Sequence, residues 1–219
     1  MNYLAHRRKH HRSDLTLSIL FVVADTVTLG DDQYFKDEME ARGHTVYHLD
    51  DGTATGSEGS GNDVIFISGT IDTGVLTTEF NNTTYPLVIQ KRELWDNNDL
   101  CTLHATDGGE TLWDVTDSSH AITSHWGYSG NNLACFTSLG TYSYSNNFAA
   151  AATNIMNTEG VGTTQSNLFV YDSGDTMENS HTAENNRAAF GPTSGDASKF
   201  ETETWNILES TLLWAAGKI

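Results

Sequence analysis

Glu93, Trp95 and Asp96 follow directly on the apolar run at 86–90 (PLVIQ), while Asp25 and Asp72 come after two other such runs. In open α/β sheets, ligands gather beyond the carboxyl ends of the strands. These five residues therefore form a candidate strand-end ligand edge, an acidic pocket suited to a cation or a polyol. Lys91 and Arg92 lie beside them and are unusual in so acidic a chain. Structural ion pairs with nearby carboxylates are the expected use of both.

Other groups offer weaker chemistry. The loop at 26–30 (TVTLG) precedes a predicted helix start, where backbone amides can cradle a flavin phosphate. Asp25, Asp31 and Asp32 surround it with negative charge and disfavour that use. His6, His10 and His11 suit a transition metal by type, but a short basic arm is a poor preorganised site. His120 and His125 lie near Trp126 and are expected to pack or hydrogen-bond locally. Asp50-Asp51 and Asp107-Gly108-Gly109-Glu110 offer oxygens to Ca²⁺ or Mg²⁺, and neither completes a calcium-loop spacing. No cofactor is expected. Cys101 and Cys135 have no metal-ligand spacing, and their redox state is open. Asn81 and Asn82 both fit the N-x-Thr glycosylation pattern.

The elements that must position these residues are legible as alternating strands and helices. Residues 17–24 (LSILFVVA), 63–68 (DVIFIS) and 86–90 read as strands covered on both faces. Residues 44–49 (HTVYHL) read as a further strand. Asp31 and Asp32 are expected to cap and charge a helix running to Arg42, with Phe35 and Met39 on one face and Gly43 as its C-terminal stop. A short helix is predicted over 73–80. Residues 97–164, rich in Thr, Ser, Asn, Gly and aromatics, are expected to form hairpins and loops elaborating one end of the sheet. Trp113, Trp126, Tyr128, Tyr142 and Tyr144 in that stretch have the type to stack on sugars or a partner, or to pack beneath their own hairpins. Residues 167–172 and 187–190 read as late strands. Residues 200–216 close the chain as an amphipathic helix with Trp205, Leu208, Leu212 and Leu213 on its apolar side. This order specifies βαβ units and a parallel sheet.

Charge divides the chain unevenly. Residues 1–12 carry Arg7, Arg8, Lys9 and Arg12 and no acid, whereas the remainder holds all 29 Asp and Glu against seven Lys and Arg. The net charge is −18, so the body alone is near −22. The organisation expected is a basic N-terminal arm over 1–12 and a single α/β domain over 13–219. An acidic body repels phosphates, so no nucleic acid is expected on it. Abundant carboxylates with few lysines are expected of a protein working in high salt, where self-repulsion is screened. No stretch reaches the roughly 20 apolar residues of a membrane span, and residues 1–24 do not read as a signal peptide.

With its elements in this order, the chain resembles the glutamine-amidotransferase-like α/β domain, a flavodoxin-like fold similar to trehalose-utilisation proteins. The resemblance rests on ILFVVADTVTLGDDQYFKDEMEARGHTVYHLDD, DVIFISGTI, YPLVIQKRELWD and ETWNILESTLLWAAGK. It implies a three-layer fold, a mostly parallel sheet with helices on both faces, and a β- and loop-rich middle insertion. It also implies where catalysis would sit. Amidotransferases place a nucleophilic Cys at the strand-to-helix turn that here reads Lys91-Arg92-Glu93-Leu94. Cys101 lies too late, and the partner His is absent from 190–196 (FGPTSGD), with His181 the nearest. Thiol catalysis needs all its groups within hydrogen-bond reach.

The function expected is that of a non-catalytic structural or interaction module with other protein subunits as partners. A halophile virion surface component, assembled in the cytoplasm and docked by Arg7, Arg8, Lys9 and Arg12, is its concrete form. A carbohydrate- or small-molecule-binding module is the alternative, and a hydrolase with a site around Glu93 and Asp96 the third.

Overall fold

The computed structural model describes residues 15–160 and 165–219. Four strands are laid down early, as the apolar runs require: β1 (Ser18–Val23), β2 (Thr45–Asp50), β3 (Val64–Ile67) and β4 (Leu87–Ile89). Helix α1 (Asp32–Ala41) joins the first two and α2 (Glu93–Asn97) follows β4. The middle of the chain supplies β5 (Leu103–Glu110), β6 (Leu112–Val115), α3 (Ala121–Ser124), β7 (Leu133–Ala134), β8 (Gly140–Asn147) and β9 (Thr153–Thr158). Strands β10 (Leu168–Tyr171) and β11 (Arg187–Phe190) precede the closing helix α4 (Thr202–Ala215).

Among the described residues, nine strands form one sheet in the order β2-β1-β3-β4-β11-β10-β9-β6-β7. The first five are parallel. The sheet continues antiparallel from β10 to β7. Successive residues of each central strand face opposite layers. Phe21, Val23 and Phe66 pack against Phe35 and Met39 of α1 and against Trp205, Leu208 and Leu212 of α4. Leu20, Val22, Ile65, Ile67 and Ile89 pack on the other side against Leu76, Phe80 and α2 residues Leu94 and Trp95. The first layer is aromatic: Phe21 stacks on Phe66 at 5.0 Å, and Phe35 meets Trp205 edge-on at 5.3 Å. This is the expected α/β class with helices on both faces.

Three expectations need correction. Residues 73–80 form turns and no helix. The Asp72 carboxylate accepts from Gly74 N–H at 2.8 Å, and the Asp72 N–H donates to the Asp51 carboxylate at 2.7 Å. Leu76 and Phe80 are buried from this irregular backbone. Asp32 is the acid of the first turn, as expected, but the expected side-chain cap is missing. It is buried, and Ser68 and Thr70 donate hydroxyl bonds to its carboxylate. Asp31 stands at the cap position with helical dihedrals and no side-chain cap bond. Finally, the middle segment is more than a decoration of one sheet end. Its β6, β7 and β9 extend the main sheet, and only β5 and β8 pair separately as an antiparallel ribbon.

Candidate functional site

Parallel strands β3, β4 and β11 all end at the same edge of the sheet. The chain leaves them through Ser68-Gly69, Gln90-Lys91-Arg92 and Gly191-Pro192-Thr193-Ser194. Gln90 ties these three exits together from a buried position. Its Oε1 accepts from Gly69 N–H at 2.9 Å and its Nε2 donates to Pro192 O at 2.6 Å. Gly69 is needed for close approach, because a Cβ there would fall 2.4 Å from Ser194 Oγ.

The β5–β8 ribbon closes one side. Ser143 N–H donates to Gly191 O at 2.7 Å. Thr141 N–H reaches the Asp196 carboxylate at 2.6 Å, and Lys199 holds the same carboxylate at 2.6 Å. Between ribbon and strand ends lies a cavity of about 230 Å³. The strand exits line it with Gly69, Gln90, Lys91, Arg92, Glu93, Thr193 and Ser194, and the ribbon with Thr106 and Ser143.

Arg92 Nε donates to Glu93 Oε1 at 2.7 Å, the expected ion pair. Burial pushes the Glu93 carboxyl upward. The Arg92 bond and the charges of Arg92 and Lys91 outweigh it and hold the group below the usual carboxylate range. Lys91 departs from expectation. Its Nζ donates to Gly69 O at 3.3 Å, and it forms no ion pair among the described residues.

The other predicted edge residues do not converge here. Trp95 is wholly buried, with Nε1 donating to Ile89 O at 3.0 Å, so it belongs to the core beneath β4 and not to a ligand edge. Asp96 is exposed and lies 3.7 Å from His104 Nε2. Asp25 turns its carboxylate onto the Val27 and Thr28 amides at 2.7 and 3.1 Å, which also occupies the amides a phosphate would need. Asp72 serves its own turn, as above. Of the five, only Glu93 lines the cavity. Thr106, Ser143 and Ser194 were not legible as site residues, since they reach it through ribbon pairing and strand order, neither of which has a local signal.

The remaining candidates resolve locally. His120 Nδ1 accepts from Ile122 N–H at 3.3 Å and the ring packs 5.4 Å from Trp214, with burial pushing its pKa down. Trp113 and Tyr142 are fully buried, so much of the aromatic middle packs under its own strands. Cys101 and Cys135 are free and buried, and burial pushes each thiol up to about 12. Among the described residues, no group of three or more His, Cys, Asp or Glu could hold a metal ion. His6, His10, His11 and the arm cations Arg7, Arg8, Lys9 and Arg12 lie outside the described residues.

A second polar cluster joins distant loops. Asp99 accepts from Asn179 Nδ2 at 2.6 Å, from Asn81 Nδ2 at 2.9 Å and lies 2.5 Å from His181 Nδ1. Asp99, Asn179 and Ser180 all adopt left-handed backbone, with φ of 56°, 52° and 62°. This bonding commits Asn81 of the glycosylation pattern, whereas Asn82 is exposed.

No protein-family model and no curated protein sequence matches the chain. Solved structures do. One is a Thermoplasma acidophilum protein provisionally named as part of GMP synthase, with a TM-score of 0.51 and 12% identity, covering 92% of this chain and 94% of its own. Another is a glutamine amidotransferase from Thermotoga maritima, with a TM-score of 0.46 and 13% identity over 89% of this chain and 77% of its own. The first likeness shows a shared fold, the glutamine-amidotransferase-like one that the resemblance implied.

Proposed function

We propose that this chain is an interaction domain that keeps the amidotransferase-like fold without thiol chemistry. The observation that carries this reading is the turn after β4. Where the resemblance implies a nucleophilic Cys, the chain places Lys91, Arg92 and Glu93. Neither of its cysteines substitutes. Burial pushes both thiols up to about 12, so they stay protonated at neutral pH, and the thiolate is the nucleophile. His181, the nearest late histidine, is committed to the Asp99 cluster. The test is ammonia release from glutamine by the purified full chain. No release above buffer is expected, and saturable turnover would overturn the reading.

The concrete form of the interaction is assembly. A net charge of −18 with all four arm cations at one end supports a protomer docked through Arg7, Arg8, Lys9 and Arg12, its acidic body facing concentrated salt. A virion surface component of a halophile fits that description. Native mass measured in molar salt, on the source assembly and after deletion of residues 1–12, tests it. A multi-copy particle that loses this protein on deletion is expected. A monodisperse monomer in the source rejects it.

One observation favours a second reading. The strand ends enclose a preorganised polar cleft, braced by Gln90 and walled by a separate ribbon. Small-molecule binding at that cleft is compatible with either a free or an assembled domain.

A further inference from the structure

Seven Lys and Arg lie among the described residues. Lys36, Arg42, Arg92, Lys199 and Lys218 each hold a carboxylate within ion-pair distance. Arg187 is buried, with its guanidinium on the carbonyls of Phe80 and Thr83. Lys91 alone has neither arrangement. Its ammonium has three donors, and one makes a long 3.3 Å bond to Gly69 O. In a chain with 29 acidic residues, Lys91 meets no carboxylate at ion-pair distance among the described residues, and the one whose charge reaches it in the cleft, Glu93, is already bonded to Arg92.

The surroundings of Lys91 fit an anion. Arg92 spends Nε on Glu93, and its two terminal amino groups have no partner among the described residues. Lys91 and Arg92 against Glu93 leave the cleft one positive charge in excess. Ser194 Oγ stands over Gly69 and has no protein partner among the described residues. Thr106 and Ser143 add hydroxyls on the ribbon side. Among the described residues, no aromatic ring lines the cleft, so a neutral sugar finds no stacking platform in them. A volume of about 230 Å³ lies below the roughly 300–1,000 Å³ of sites for drug-sized ligands. A nucleic acid or other polyanion is excluded by the acidic body around the cleft.

We infer that the cleft between Lys91, Arg92 and Ser194 binds a small oxyanion, a carboxylate or phosphate carried on a hydroxylated molecule of about monosaccharide size. The ammonium and the guanidinium amino groups take the oxyanion by charge-assisted hydrogen bonds, and the ribbon hydroxyls take the ligand's own hydroxyls. This rests on the small-molecule reading above and assigns its ligand class.

The test is calorimetric titration of the full chain in molar salt with glucuronate, glucose 6-phosphate and neutral glucose. Saturable binding of glucuronate or glucose 6-phosphate is expected, with glucose silent; which of the two binds separates the carboxylate from the phosphate form. Lys91→Gln is expected to weaken binding at least tenfold, the loss of one charge-assisted bond, with its ligand-free melting temperature unchanged. Lys218→Gln, which removes a paired cation elsewhere, is expected to bind like the parent. Should Lys91→Gln lose its fold, Arg92→Gln must show the same weakening. Glucose binding as tightly as glucuronate overturns the oxyanion class and leaves the small-molecule reading standing. No binding by any probe overturns both. Undiminished binding to both variants places the ligand elsewhere and overturns the site.

Discussion

Glu209 lies within α4, where every residue from Thr204 to Ala215 is buried. Arg42 Nη1 meets its Oε2 at 2.6 Å and His44 Nε2 lies 3.2 Å from its Oε1. Leu17 N–H donates to His44 Nδ1, so the neutral ring carries its proton on Nε2 and donates it to Glu209. Burial pushes the Glu209 carboxyl up, and the His44 and Arg42 bonds outweigh it, holding the group below its usual 4.5. A depressed folded pKa stabilises the protein above the unfolded value and is lost as pH falls through the folded one. Glu209→Gln is therefore expected to cost about 1.5–3 kcal/mol at neutral pH, the loss of one charge-assisted partner, because Arg42 keeps Glu38 and Asn206. The gap to the parent should narrow as pH drops below 4.5. Urea unfolding of both proteins at neutral and acid pH checks this, and a gap that stays constant removes the linkage. Arg187 makes a similar point. Its Nη1 and Nη2 donate to Phe80 and Thr83 carbonyls at 3.1 and 2.8 Å; Phe80 O also takes the Thr83 N–H at 3.2 Å, so Arg187→Leu strands the Thr83 carbonyl. A loss of about 1–3 kcal/mol in urea unfolding is expected, the cost of one unsatisfied buried acceptor, and a loss below about 1 kcal/mol would show that water replaces the guanidinium. The ionic role of Arg92 is legible in sequence because its partner is the next residue. The lack of a partner for Lys91 is not, since it depends on every carboxylate being placed elsewhere by the fold.

At the scale of elements, the β5–β8 ribbon decides whether the strand ends form a cleft or an open edge. It seats on the exit of β11 through Gly191, where an added Cβ would fall 2.3 Å from Ser143 O and 2.6 Å from Asn167 O. Both neighbours are backbone and cannot yield as a flexible side chain would. Gly191→Ala is thus expected to lower stability by at least 1–3 kcal/mol, the usual range for overpacking, and to loosen the ribbon. Thermal unfolding and limited proteolysis within 103–147 check it. A normal melting temperature with an uncut ribbon would mean the contact is dispensable. The ribbon also marks where sequence reading stops. Runs 17–24, 63–68 and 86–90 are legible because a strand covered on both faces is apolar at nearly every position. The ribbon strands alternate weakly, and β7 is two residues long, so their partners are chosen by long-range pairing that leaves no local periodicity. Leu76 and Phe80 stand four residues apart, as on a helix face, yet the Asp72 turn and the Thr- and Asn-rich stretch around them favour irregular backbone. Both side chains reach the core without helical support.

At the scale of the whole molecule, the fold must hold together against its own charge. A net charge of −18 on 219 residues opposes a compact state in dilute buffer, because like charges are driven closer on folding. Added salt relieves this as the Debye length falls from about 10 Å at 0.1 M to about 3 Å at 1 M. Screening and solute exclusion predict different curves. Screening follows the Debye length and delivers most of its benefit within the first few tenths molar, whereas exclusion of salt from the surface grows steadily with concentration. The melting temperature in potassium chloride is expected to climb steeply at low concentration and then to flatten. A straight rise throughout would assign the stabilisation to burial strengthened by excluded salt, and no rise would remove self-repulsion as a force on this fold. Replacing exposed carboxylates such as Asp37 and Glu40 on α1 by their amides separates the cases further. If self-repulsion dominates, the amide variants gain stability in dilute buffer despite losing the Lys36–Glu40 pair, and the gain disappears in molar salt.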